Sequence, residues 1–204
     1  MLFNDTYKTI AGPAGGLFRD KGSKFIAFAY PLTTENEVKG HLAKLKAEHP
    51  KANHFCYAYR LTPDKNVFRI NDDAEPSGTA GRPILNTLLS ADLTNMLIVV
   101  VRYFGGTLLG VPGLINAYKS AAGDAVKEAV IIEKSISDVY EIKFDYSLMN
   151  DVMRLIKEEQ LSILEQQFDN DCLLKFEVRK SSLNKVLSRI EKQTGIELKY
   201  LYTV

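Results

Sequence analysis

Along the first thirty residues, short strand-like runs alternate with turn residues. "TYKTI" is followed by the turn signal "GPAGG", and "LFRDKGSKFIAFAYPL" then reads as a hairpin centred on Asp20 to Ser23. The period then lengthens to that of a helix. Val38, Leu42 and Leu45 follow a Thr34/Glu37 pair spaced as a capping box, predicting one amphipathic helix over Thr34 to Glu48. Strict alternation returns in "HFCYAYRL", where Phe55, Tyr57, Tyr59 and Leu61 oppose His54, Cys56, Ala58 and Arg60. This predicts a half-buried strand, with "VFRI" beyond the turn "TPDKN" as its hairpin partner. The polar stretch "NDDAEPSGTAGRP" separates these strands from a short helix, "ILNTLLSA". "MLIVVV" has no polar side at all and is expected to form a central strand covered on both faces. Leu114, Tyr118, Ala121, Ala125 and Ala129 then form a helical stripe whose small residues allow close packing.

From Ser135 the pattern becomes regular. "DVYEIKFDY" alternates, and Leu148, Val152, Leu155 and Ile156 share one helical face. "LSILEQQF" and "DCLLKFEV" flank a turn "DND" at 169–171; Leu183, Val186, Leu187 and Ile190 repeat the helical spacing, and "IELKYLY" closes the run. This β-α-β-β-α-β order is the ferredoxin-like arrangement. The chain is therefore expected to be α+β and to divide into domains 1–134 and 135–204.

The 204 residues carry a net charge of +1 and 46% apolar residues, enough for a sizeable core and too balanced for a strongly basic nucleic-acid binder. Residues 1–134 hold 16 basic against 13 acidic side chains, so that half is the better candidate to meet anions. Cys56 and Cys172 stand far apart without a CxxC, which argues against a disulfide framework or zinc ribbon and for reduced thiols in the cytosol. The start shows no signal-peptide pattern and no run is long enough to span a membrane, so a soluble cytoplasmic protein is expected.

Two stretches carry candidate chemistry. In "INDDAEPSGTAGRP", Asp72, Asp73 and Glu75 lie beside Ser77, Thr79 and Arg82; clustered carboxylates can hold a hard cation or supply a general base. They can equally cap the next helix or pair with Arg60, Arg82 or Arg102. "RYFGGTLLGVPGL" joins a strand to a helix through glycines, which suits anion binding, although it lacks the GK[ST] of a P-loop and does not fit GxGxxG. In the structural alternative Gly105 and Gly106 supply positive φ, Pro112 starts the helix and Gly113 allows close packing. His54 stands alone at a strand start, His41 and His49 lie eight apart on a helix without a partner at i+4, and Cys56 faces away from the aromatics of its strand with no evident base beside it. No serine occupies a GxSxG elbow.

Together "HFCYAYRL", "NDDAEPSGTAGRPIL" and "NMLIVVVRYFGGTLLGVPGLINAYKSA" closely resemble the YigZ/IMPACT family, over most of residues 15–130. The chain departs from its signature at Ala74 and Pro112, where glycine is usual, and at Asn116 and Lys119; Lys119 keeps a cation near the helix start. The resemblance implies a ribonuclease PH/ribosomal-protein-like N-terminal fold, a ferredoxin-like C-terminal domain, and a link to translation or RNA. The expected activity is noncatalytic binding of RNA, the ribosome or a translation-related protein by one surface made of both signature loops. Arg82, Arg102 and Lys119 would contact phosphate, with Ser77 and Thr79 beside them, and Gly105 and Gly106 would admit the backbone. Asp72, Asp73 and Glu75 would orient the arginines or hold a divalent cation, and His54 and Arg60 complete the signature. The alternatives are a metal-dependent hydrolase acting through the acidic loop on a phosphate-containing substrate, and a protein-interaction module.

Overall fold

The computed structural model describes residues 5–168 and 172–204. The fold is α+β, and the described residues form two compact units: Tyr7–Lys134, and the described residues of Ser135–Val204 together with Asp5 and Thr6.

The larger unit is built on a five-stranded antiparallel sheet of order β2-β3-β6-β4-β5, with β2 at Ala14–Asp20, β3 at Ser23–Pro31, β4 at His54–Leu61, β5 at Val67–Asn71 and β6 at Met96–Tyr103. The all-apolar "MLIVVV" run occupies its centre. Ile98 and Val100 face a cluster built with α2 (Gly81–Ser90) and α3 (Gly110–Glu128). Leu97, Val99 and Val101 face the opposite cluster, which includes Val38 and Leu45 of α1 (Asn36–Glu48). Helices thus cover both sides of the sheet. For the same reason β4 is not the half-buried strand its alternation suggested. Cys56 and Ala58 are as buried beneath α2 and α3 as Tyr57 and Tyr59 are on the other face; alternation of large and small residues here separates two interiors rather than core from solvent.

Small residues set how closely α3 approaches. Ala117, Ala121, Ala122 and Ala125 are buried against Ala27 and Ala29 of β3. The "GPAGG" turn shrinks to Gly12 and Pro13, because Ala14 to Gly16 already belong to β2. A methyl at Gly16 would stand 2.3 Å from the Ala125 amide nitrogen, so glycine there serves the helix contact and not a turn. The hairpin turn falls on Lys21 and Gly22, both at positive φ, as a tight turn between right-twisted strands requires.

α1 begins two residues later than predicted, at Asn36. Half of the expected capping box forms: the Glu37 carboxylate accepts the Thr34 amide at 2.8 Å, but the Thr34 hydroxyl turns to that carboxylate at 2.9 Å instead of to a helix amide. A two-stranded sheet unites β1 (Thr6–Ile10) with β7 (Ile131–Ser135), a strand the sequence reading did not separate from the domain boundary.

In the smaller unit β8 (Ser137–Phe144), β9 (Ser162–Phe168), β10 (Cys172–Arg179) and β11 (Ile196–Thr203) form an antiparallel sheet of order β11-β8-β10-β9. With α4 (Met149–Glu158) and α5 (Leu183–Glu191) this is the ferredoxin-like arrangement. Val152, Leu155, Ile156, Val186 and Ile190 are buried in one cluster with Ile142, Leu174 and Phe176 of the sheet, as their helical spacing requires. The turn placed at 169–171 lies outside the described residues.

Candidate functional site

The acidic loop after β5 is held by its own carboxylates, each with a different task. The Asp72 carboxylate accepts the amides of Gly78 (2.9 Å), Ala80 (3.1 Å) and Gly81 (2.8 Å), and so satisfies donors at the start of α2 that no intrahelical carbonyl reaches. Asp73 accepts the Phe55 amide at 2.6 Å, and its carbonyl accepts from Nδ1 of His54 at 2.8 Å. A carbonyl can only accept, so the proton sits on Nδ1 and Nε2 is left facing Glu75, 3.8 Å from its Oε1.

Glu75 is the buried member, its side chain only 3% exposed. Oε1 receives Arg102 Nη1 at 2.5 Å and the Tyr118 hydroxyl at 2.7 Å. Arg102 is itself buried, with its guanidinium 5.3 Å from the Phe25 ring centroid and 5.5 Å from that of Phe104. The register explains the convergence. Phe25 and His54 stand directly opposite Arg102 on the two strands flanking β6, so all three point to the face that α3 covers, and Tyr118 descends from α3 onto them. The Cys56 thiol completes the chain, 3.0 Å from the Asp72 carbonyl and 3.3 Å from the Tyr118 hydroxyl.

Neither the thiol nor the phenol of this cluster is made more acidic by its surroundings. Burial raises the Cys56 thiol far above its ordinary range, and the nearby carboxylates push the same way. Burial likewise raises Tyr118, which remains a hydroxyl donor. Among the described residues no three His, Cys, Asp or Glu side chains converge to hold a metal ion. The three clustered carboxylates take three contacts: Asp72 caps α2, Asp73 clamps β4 and Glu75 forms the buried ion pair.

The backbone of the loop is strained where the family signature has glycine. Asp73 and Ala74 both adopt positive φ, +41° and +66°. Ala74 thus occupies the left-handed conformation that glycine adopts freely, at a cost of about 1 kcal/mol for a residue bearing Cβ. Ala74→Gly should raise stability by about 1 kcal/mol, seen as about 2–4 °C in the thermal midpoint; a lowered midpoint would contradict the strain.

The glycine stretch between β6 and α3 is exposed over Phe104 to Leu108. Its glycines divide the work differently from expectation. Gly106 has φ +85° in open space, and so has Gly110 (φ +71°) at the first turn of α3 apart from its neighbour Pro112; Gly105 is needed for contact. A methyl on Gly105 would lie 2.0 Å from the Gly22 carbonyl carbon and 2.2 Å from the Ser23 nitrogen, and the Gly105 amide donates to the Ser23 hydroxyl at 3.1 Å. The glycine loop therefore rests on the β2–β3 turn. That turn is basic: Arg19, Lys21 and Lys24, with Asp20, line a shallow depression of about 400 Å³.

The expected phosphate-binding trio is not assembled. Arg102 is buried and neutralised by Glu75, so it has no free charge to offer a phosphate at the surface. Arg82 is exposed in the first turn of α2, and Lys119 is exposed on α3, where it lines a groove with Pro83 and Asn86 of α2, while Tyr118 beside it is buried. Ser77 is exposed, whereas Thr79 is buried and spends its hydroxyl on the Pro76 carbonyl. Arg60 lies at the far end of β4, donating to the carbonyls of Lys65 and Leu93 and 3.7 Å from Asp92. Sequence reasoning missed Tyr118 as a partner of Glu75; the available signal was a phenol in a helical stripe otherwise of Leu114 and alanines, whose buried hydroxyl requires an acceptor. It also missed the basic turn, which had been read only as a hairpin.

A family model described as the Impact N-terminal domain matches residues 21–126. An IMPACT family member of Haemophilus influenzae is 33% identical over 181 residues, covering 86% of this chain and 86% of its own. IMPACT family member YvyE of Bacillus subtilis is 32% identical over 149 residues, covering 73% of this chain and 69% of its own. A crystal structure of a hypothetical protein matches with a TM-score of 0.75 at 25% identity, over 97% of this chain and 98% of that one.

Proposed function

The chain belongs to the IMPACT family, and from that premise we propose that it is a noncatalytic RNA-binding protein acting beside translation, with the glycine loop and the β2–β3 turn as its contact surface. One observation carries the reading: Gly105 rests on Gly22, so an exposed backbone that a phosphate can approach closely adjoins Arg19, Lys21 and Lys24. None of these three cations has a hydrogen-bonded or ionic partner among the described residues, so each is available to a phosphate. Glycine permits the approach, the first amides of α3 add partial positive charge, and the cations supply the long-range attraction. The buried ion pair is a scaffold for this surface: Glu75 reaches Arg102 from the acidic loop, and Phe104 covers the same guanidinium from the glycine loop.

The noncatalytic part of the reading rests on the engaged state of Asp72, Asp73, Glu75, Cys56 and Tyr118. Filter binding to poly(U) and co-sedimentation with ribosomes, each over a salt series, test the whole. Lys21→Glu/Lys24→Glu should weaken binding about tenfold or more and lower the salt slope by about 1 per lost phosphate contact. Absence of wild-type binding to both probes, or binding untouched by the double reversal, would overturn it.

A further inference from the structure

A second surface of the larger unit has a different chemistry. On the outer side of α2 and α3 runs an open groove of about 410 Å³ lined by Pro83, Asn86, Leu89, Ser90, Ile115 and Lys119. Leu89 is 46% and Ile115 39% exposed, and Val111, one turn before Ile115 on α3, is 51% exposed. Val111, Ile115 and Lys119 follow one another at four-residue spacing, so the stripe ends on a cation. Arg82 stands one turn before Asn86 on α2. Residues 76–91 and 104–123 contain no acidic side chain, and Arg82 and Lys119 are their only charges.

An apolar floor at helical spacing whose one charged lining residue is Lys119, with Arg82 one turn before Asn86 on α2, suits one kind of occupant. RNA would find no aromatic ring among the lining residues on which to stack a base, and would leave the leucine and isoleucine unmatched. A helix with an apolar face and flanking carboxylates matches both floor and rim. We propose that the α2–α3 face is a docking groove for an acidic amphipathic helix of a partner protein. Its apolar side chains enter between Leu89 and Ile115, and its carboxylates meet Lys119 and Arg82. This surface is separate from the glycine loop and does not depend on RNA binding.

The test uses the full chain, isotopically labelled for NMR, and a synthetic peptide of roughly 15 residues with leucines at i, i+4 and i+7 and glutamates on the remaining face. Shift changes should be confined to α2 and the first half of α3. Lys119→Glu should weaken binding about tenfold and improve binding of a matched peptide carrying lysines for glutamates. Leu89→Ser/Ile115→Ser alters half-exposed side chains outside the buried cluster, so the fold should persist while peptide binding falls about tenfold or more. Lys21→Glu/Lys24→Glu should leave the peptide affinity unchanged, which separates failure of this proposal from failure of the RNA reading. No binding, equal binding of both peptides, displacement by poly(U), or a concentration-dependent dimer abolished by the Leu89/Ile115 substitutions would overturn the proposal, the last by making a second copy the occupant.

Discussion

Glu75→Ala is expected to destabilise the larger unit by about 3–5 kcal/mol, because it leaves the Arg102 guanidinium buried without its counter-charge. Among the described residues Glu75 is the one acid paired with Arg102. His54 is the neighbour on the adjacent strand, the two rings on either side offer only their faces, and Arg102 Nε already lacks a hydrogen-bond partner among the described residues. Tyr118 would lose its acceptor at the same time. Glu75→Gln keeps an acceptor for the phenol but not the charge, and should recover only part of the loss. Replacing both ions, as in Glu75→Leu with Arg102→Met, should restore most of it, since an apolar pair of similar volume removes the desolvation cost along with the attraction. Chemical denaturation followed by circular dichroism distinguishes these outcomes. A single Glu75 substitution costing less than about 1 kcal/mol would show that the pair is not the fastening described here.

Gly105→Ala should be the more damaging of two neighbouring glycine substitutions, although Gly106 has the more unusual backbone. At Gly105 the added carbon meets backbone atoms of Gly22 and Ser23, neither of which can swing aside as a side chain could. The β2–β3 turn or the whole glycine loop must move, with an overpacking cost of about 1–3 kcal/mol. RNA affinity should fall with it, because the two halves of the proposed contact surface separate. At Gly106 the added carbon meets nothing, and the cost is limited to about 1 kcal/mol of left-handed strain. Thermal unfolding and poly(U) binding of the two variants should therefore rank Gly105→Ala below Gly106→Ala on both measures; the reverse order would refute the packing role of Gly105.

Where a pattern has one physical cause, the sequence is a reliable guide. "MLIVVV" can only be buried on both sides, and the regular periods after Ser135 leave one economical fold. Alternation in "HFCYAYRL" misled because its second face carries Cys56 and Ala58, small residues that read as exposed but lie under α3. The acidic loop was legible as a constellation, and both of its bland alternatives proved correct for different residues: Asp72 caps a helix and Glu75 pairs with Arg102. Which acid does which depends on strand register, since Arg102, Phe25 and His54 become neighbours only when three strands align. Arg102 illustrates the limit. An arginine ending an apolar strand reads as the point where the chain meets solvent, and nothing local announces that a glutamate 27 positions away will bury it.

Because Glu75 and Phe104 both lie against Arg102, the order of the acidic loop and that of the glycine loop are thermodynamically linked. Free energy that any ligand spends in fixing the glycine loop is shared with the acidic loop through that one side chain. The coupling is reciprocal, so a change at the acidic loop that loosens Glu75 must alter affinity at the glycine loop by the same factor that the bound ligand alters the acidic loop's own equilibrium. A substitution at Pro76 or Ser77, far in sequence from Arg19, Lys21 and Lys24, should then change the proposed RNA binding as an allosteric one.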